Sequence, residues 1–136
     1  MARIVLTNAY ITVNGVDLSD LISSVTLNSS IDVIETTAFS STAARTRIGG
    51  LADNSISLEF HQDYATGEVE ATVYPLLGTT TTVVVKPNGA TTSATNPAYT
   101  ATVLVSEWTP LNGAVGELAT ASVTWPVSGA IAKTTA

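Results

Sequence analysis

Apolar and polar residues alternate with a period of two along much of this chain. Ile56, Leu58 and Phe60 alternate with polar neighbours, and the residues from Ala119 to Trp125 do the same. This period places apolar side chains on one face of a strand and polar ones on the other. Other segments are rich in β-branched residues, which suit a pleated surface. They are Tyr10–Val13, Ser23–Leu27, Ile31–Glu35, Thr81–Lys86 and Tyr99–Ser106. The sequence therefore predicts a mainly β fold.

Turn residues separate these segments. Asn14-Gly15 predicts a tight hairpin, because both residues tolerate the positive φ of a type I′ turn. Ser19–Ile22 is predicted to form one helical turn, and Pro87–Pro97 to form a polar connection between two strands. Asn112-Gly113 opens another turn before the last predicted strand.

One segment breaks the period of two. Its apolar residues, at the spacing of one helix face, are Val69, Val73, Leu76 and Leu77. Asp63 lies near a possible cap and Gly78 lies just past the end, so the segment predicts one short helix. A strand over Glu68–Tyr74 is the alternative, because its apolar residues also alternate and Pro75 is unfavourable inside a helix.

The segment 36–51 has neither a strand period nor a helical stripe, which predicts a long loop. Loops of more than about a dozen residues are unusual in compact domains and are often functional or disordered. We predict that it contacts another subunit through Phe39, Arg45, Arg47 and Ile48. The apolar side chains would be buried and the arginines would pair with carboxylates. An ordinary mobile loop is the alternative.

The length of 136 residues predicts a single domain over 1–136, with terminal arms at 1–9 and 127–136. Only 12% of residues are charged, against roughly a quarter in ordinary soluble domains. An uncharged surface rich in Thr, Ser, Ala and Asn does little to repel other copies of the chain. We expect synthesis in the cytosol, because no apolar run suits a signal peptide or a membrane span.

The residues that carry chemistry are sparse. The chain has one histidine, His61, and no cysteine, so two-histidine and thiolate sites are excluded within one chain. No Gly-x-Ser-x-Gly elbow or phosphate-binding glycine loop occurs, and the carboxylates are scattered. A net charge of −6 with five Lys and Arg argues against a tightly held nucleic acid. The sequence predicts no enzyme, no metal site and no cofactor.

A resemblance to a known family extends over nearly the whole chain. The order of 36–51, then Ser55–Phe60 with Asp63, then Glu70–Gly78 resembles the tail tube (major tail) proteins of long-tailed bacteriophages, particularly those of actinobacteria. The later segments Val83–Pro87 and Ser122–Val127 also resemble strands of that family.

The resemblance implies a β-sandwich or barrel-like fold with one short helix and a long loop. It implies a virion structural protein that is made in the host cytoplasm and forms stacked hexameric rings, the hollow conduit for genome delivery. Implied partners are other copies of the chain, the tape measure protein, the tail tip or baseplate, and the tail terminator, with no membrane. A tube of a secretion or bacteriocin-like device fits the same resemblance.

A conduit for DNA should repel phosphate, which an acidic wall does. We expect some of the chain's carboxylates to face the lumen, with DNA passing without specific binding. The candidates are Asp17, Asp32, Glu59, Glu68, Glu70 and Glu117.

A β-sandwich binding module, such as a carbohydrate-binding, adhesion or capsid decoration domain, is the alternative function. It would explain the Thr- and Ser-rich connections. Affinity for a glycan in a chain that stays monomeric would favour it.

Overall fold

Strands dominate the fold, as predicted. The computed structural model describes residues 3–39 and 42–135. The strands are β1 (Tyr10–Val13), β2 (Val16–Asp17), β3 (Ile22–Glu35), β4 (Arg47–His61), β5 (Thr80–Lys86), β6 (Ala98–Leu104), β7 (Thr120–Pro126) and β8 (Ala132–Thr134). The helix α1 spans Val69–Val73, and 3-10 turns span Ser19–Leu21 and Tyr74–Leu76.

The strands form two antiparallel sheets, in agreement with the predicted β-sandwich. One sheet has five strands in the order β2-β1-β5-β6-β8, and the other has three in the order β3-β4-β7. A bridge between Val103 and Val127 links them. The central strand β4 pairs with β3 along nearly its whole length, and with β7 only from Ser55 to His61.

The core lies between the inner faces of the two sheets. Phe60 of β4 and Trp125 of β7 are fully buried, and the ring of Phe60 meets that of Trp108 edge to face at 5.4 Å. Each such side chain contributes about 1.5–3 kcal/mol through burial. The Trp125 indole N–H donates to the carbonyl of Glu107 at 2.9 Å, so its polar group is satisfied. The alternation seen in the sequence therefore marks the buried face of β4 and β7.

The segment after β4 is helical, so the alternative of a strand over Glu68–Tyr74 is wrong. Val69 and Val73 are buried, and Pro75 lies in the 3-10 turn after α1 rather than inside a long helix. Gly78 has φ of +85°, a conformation that favours glycine and ends the helical run. Asp63 does not cap the helix, since its carboxylate accepts from the amide of Ala65 instead.

The turn at Asn14-Gly15 has φ of 52° and 80° at the two residues, which confirms the predicted hairpin between β1 and β2. The Ser19–Leu21 turn is also confirmed. In the sequence, Ser23–Leu27 and Ile31–Glu35 were two separate strands. In the structure they are parts of β3, which continues through the polar residues between them.

Two predicted boundaries need correction. The expected C-terminal arm over 127–136 is not free, because Ala132–Thr134 pairs with β6 and the amide of Ser128 donates to Thr102. In the expected N-terminal arm 1–9, residues 3–9 lie outside the strands, with Asn8 bridged to Asn88. Residues 1, 2 and 136 lie outside the described residues. The predicted loop 36–51 is shorter than expected, since Arg47 to Leu51 belong to β4.

Across residues 3–39 and 42–135, no helix has the length and apolar character needed to cross a bilayer.

Candidate assembly surfaces

The hairpin of β3 and β4 extends past the rest of the three-stranded sheet. β3 has 14 residues and β4 has 15, about twice the length of β7. The part of β4 before Ser55 pairs only with β3. This projecting end, residues 31–39 and 42–51, is called the hairpin tip below. It is a two-stranded ribbon with side chains exposed on both faces.

The hairpin tip exposes a cluster of large apolar side chains. They are Ile31, Val33, Ile34, Phe39, Ile48 and Leu51. Phe39 is fully exposed and Leu51 is 80% exposed. Single exposed apolar residues are ordinary, but several of them on one projecting element are typical of an interaction surface.

Part of this cluster continues the inner face of the sandwich. Val25 and Leu27 of β3 pack against the core, and Ile31 and Val33 follow them in the same alternating series. Ile31 is nevertheless 52% exposed and Val33 is 70% exposed. The inner face of the three-stranded sheet is therefore longer than the surface that this chain supplies to cover it.

A β-bulge shapes the tip where the register shifts between Ile31 and Val33. Gly49 and Gly50 lie opposite this shift. A Cβ on Gly50 would lie 2.8 Å from Cδ1 of Ile34 and 3.2 Å from Cβ of Asp32. The two strands approach so closely here that only glycine fits without displacing Ile34.

Threonine side chains close the loop at the tip. The amide of Thr36 donates to the carbonyl of Thr46 at 2.9 Å, and their hydroxyls are also 2.9 Å apart. The Thr46 amide donates to the hydroxyl of Thr37 at 3.0 Å. The loop proper thus begins at Thr36 and ends at Thr46, with residues 40 and 41 outside the described part.

The structure brings the predicted contact residues together at the hairpin tip. Phe39 and Ile48 are exposed, as a contact with another chain requires. Arg45 Nη1 lies 3.1 Å from Glu35 Oε1 of the same chain, an exposed pair worth at most about 1 kcal/mol. In the described residues no carboxylate lies within ion-pair distance of Arg47. Contact with another subunit stays a prediction.

The predicted lumen carboxylates do not share one surface. Asp32 belongs to the hairpin tip, and exposed Glu59 to the outer face of β4. Asp17 accepts from the amide and hydroxyl of Ser19. Half-buried Glu68 precedes α1, and Glu117 lies in an exposed turn. Half-buried Glu70 accepts from the indole of Trp108 at 2.7 Å. A position facing the lumen stays a prediction for these carboxylates, and that of Glu70 already accepts hydrogen bonds within the chain.

The side chains that could ligate a metal ion do not cluster in residues 3–39 and 42–135. No group of three His, Asp or Glu in that part of the chain could hold a metal ion. His61 is half-buried at the end of β4, opposite Thr120. The outer face around Glu59 carries small hydroxyl residues instead. Across the three strands, Ser24, Glu59 and Ser122 align, and so do Thr26, Ser57 and Thr124.

Chains of known structure share the fold of this protein. A chain in the virion of a native gene transfer agent particle matches with a TM-score of 0.73 at 13% identity, covering 93% of this chain and 95% of that chain. A chain in the tail of an empty gene transfer agent particle, computed with helical refinement and C6 symmetry, has a TM-score of 0.70 at 14% identity, covering 93% of this chain and 94% of that chain. This chain has the fold of a chain in that tail.

A chain in the six-fold symmetrised baseplate of the anti-feeding prophage shares the fold as well. Its TM-score is 0.59 at 10% identity, covering 98% of this chain and 97% of that chain. No protein-family profile matches the sequence, and no curated protein matches it. At sequence identities of 10% to 14%, these comparisons show a shared fold alone.

A second exposed apolar surface escaped the sequence interpretation. It lies in the connection between β6 and β7 and comprises Leu111, Val115 and Leu118. Glycines and a turn signal at Asn112-Gly113 made this connection look like an ordinary turn. Three large apolar residues in an otherwise turn-like segment were the available signal.

Proposed function

We propose that this chain is the tail tube subunit of a long-tailed bacteriophage or a related tailed particle. It is a virion structural protein whose hexameric rings stack into the hollow conduit for genome delivery. The observation that carries the proposal is the exposed apolar hairpin tip. It projects from a β-sandwich that has the fold of a chain in a C6-symmetric tail. The tape measure protein would lie inside the tube, and the terminator and tip or baseplate proteins at its ends.

A strand edge that can pair with a neighbouring subunit is one means of forming a ring, and β3 is suited to this role. It is an edge strand of the three-stranded sheet. From Ile22 to Ile31 it contains no charged residue and no proline, the usual means by which edge strands avoid pairing. The opposite edge, β7, is partly satisfied within the chain, since the Thr124 amide donates to Glu107 Oε1 at 2.7 Å. A contact between unlike surfaces that closes by rotation gives a ring.

The outer face of the three-stranded sheet supports the lumen part of the proposal. This face carries serine and threonine hydroxyls around Glu59, and the chain has no Lys or Arg between residues 48 and 85 or between 87 and 132. A wetted, acidic wall repels phosphate and gives a passing DNA nothing to bind. We propose that this face lines the lumen.

Negative-stain electron microscopy across a concentration series, with sedimentation run in parallel, tests the proposal. We expect hollow tubes or stacked rings, alone or after addition of tail tip and tape measure proteins. A chain that stays monomeric under all these conditions contradicts the proposal, and it would leave a β-sandwich binding module as the better account.

A further inference from the structure

We infer that the loop of residues 109–119 is the docking site for the hairpin tip of the next copy along the tube. The inference rests on the proposed function. It names the surface that the hairpin tip contacts when one ring stacks on the next. The hairpin tip presents apolar side chains and Arg47, and the 109–119 loop presents apolar side chains and Glu117.

The 109–119 loop holds large apolar residues that residues 3–39 and 42–135 leave exposed. Val115 is fully exposed, Leu111 is 80% exposed and Leu118 is 61% exposed. Val115 occupies the second position of a four-residue turn in which the amide of Glu117 donates to the carbonyl of Ala114 at 3.0 Å. Gly116 makes this turn possible through its φ of +84°. The turn therefore holds a β-branched apolar side chain out in solvent.

The loop is fastened at its base. The amide of Thr120 donates to the carbonyl of Asn112, and the amide of Gln62 donates to that of Ala119. The side chains of Gln62 and Tyr64 both donate to the carbonyl of Pro110. These bonds fix the loop against the segment that follows β4, so little ordering is needed when a partner binds.

The two apolar surfaces lie at opposite ends of one strand. The hairpin tip is continuous with the start of β4 at Arg47, and the 109–119 loop is bonded to Gln62, directly after its end at His61. The strand is roughly 45 Å long at about 3.3 Å per residue. A surface at one end that fits a surface at the other end makes a heterologous contact. When such a contact does not close, it produces a filament.

The hairpin tip carries Asp32 and Glu35 beside its two arginines, and Arg47 is the arginine that makes no ion pair within the described residues. Arg45 and Arg47 belong to the hairpin tip, and Arg45 already pairs with Glu35. The far end contains the carboxylates of Asp63, Glu68 and Glu117, and the sequence has no Lys or Arg at 48–85 or at 87–132. Opposite charges fix the register of a contact and disfavour the inverted pairing of tip with tip.

A charge exchange tests the pairing. Arg47→Glu and Glu117→Arg should each raise the critical concentration for tube formation by about tenfold, because like charges then face each other. The double variant should restore it. Arg47→Glu with Asp53→Arg has the same net charge, but Asp53 is an exposed residue of mid-β4 remote from the loop, so this control should not restore assembly.

Cross-linking tests proximity directly, because the chain has no cysteine. Ala44, Ala114 and Ala94 are exposed alanines of the hairpin tip, the 109–119 loop and the 87–97 connection. Tubes of Ala44→Cys with Ala114→Cys, treated with a short bismaleimide, should give a ladder of covalent multimers. Tubes of Ala44→Cys with Ala94→Cys should not.

Normal tubes in which neither pair forms a ladder, or both do so equally, overturn the inference and leave the proposed function standing. Failure of the unmodified chain to form rings or tubes, with tail tip and tape measure proteins present, overturns both.

Discussion

The indole N–H of Trp108 donates a 2.7 Å hydrogen bond to Oε2 of Glu70, the same oxygen that accepts from the side-chain amide of Gln62 at 3.0 Å. Glu70 thereby ties the helix α1 to the segment after β6 and to the end of β4. It was predicted as a lumen carboxylate, but its geometry suits a structural role.

Replacing Glu70 with alanine should lower the free energy of unfolding by about 1–3 kcal/mol, since the buried indole of Trp108 and the half-buried amide of Gln62 lose an acceptor. Glu70→Gln keeps one acceptor oxygen and should lose less than Glu70→Ala. Urea unfolding of the monomer measures both, with exposed Glu117→Gln as the control. Equal stability of Glu70→Ala and the unmodified chain would show that the network contributes nothing.

Replacing Gly50 with alanine should impair tube formation more than it impairs folding. The added Cβ would lie 2.8 Å from Cδ1 of Ile34 and 3.2 Å from Cβ of Asp32, so both side chains must shift at the hairpin tip, which lies outside the core. Gly89→Ala is the matched control, because its nearest neighbour would be a flexible Asn8 side chain at 3.4 Å. Tube yield by electron microscopy and thermal unfolding together measure the difference. A loss of thermal stability as large as that of a core substitution would contradict this reasoning.

The double variant Phe39→Ala, Arg47→Ala should remain a soluble, folded subunit that does not polymerise. Both side chains project from the hairpin tip, so their removal costs the fold little and removes part of the proposed contact. Sedimentation of the variant and of Phe39→Leu, which keeps a large apolar side chain, measures the effect. Tubes of unchanged length and yield from the double variant would refute the contact.

Charge reversal at Glu59 should slow genome release and leave tube assembly intact. A lysine on the wall would attract the phosphates that the carboxylate repels. The rate of DNA release from particles carrying Glu59→Lys measures this, with Glu59→Gln expected to be intermediate. Release at the normal rate from the lysine variant means that this face does not line the lumen.

The period of two was sufficient to locate most strands, because alternation directly reports which side chains share a face of a pleated sheet. It failed at Asn28 to Ser30, where polar residues interrupt the pattern but backbone pairing with β4 continues. It also failed at Gly49 and Gly50, because a bulge shifts the alternation by one residue and made the start of β4 look like loop.

The candidate surfaces were only partly predictable, because alternation tells which face a residue occupies and not whether that face is covered. Ile31 and Val33 have the pattern of core residues, and only the three-dimensional length of the opposite sheet shows that they are exposed. Phe39 and Ile48 were correctly placed outside the core because they occur where no regular pattern assigns them to it. The exposure of Val115 depends on the turn geometry around Gly116.

The length of β4, which runs as one bulged strand from Arg47 to His61, has a mechanical consequence. If neighbouring rings are joined at the two ends of this strand, tension along the tube loads its ladders to β3 and β7 lengthwise. Hydrogen bonds loaded in shear share the force and must fail together, whereas bonds peeled from one end fail in turn. A tube built this way would resist stretching through its subunit cores as well as through its joints.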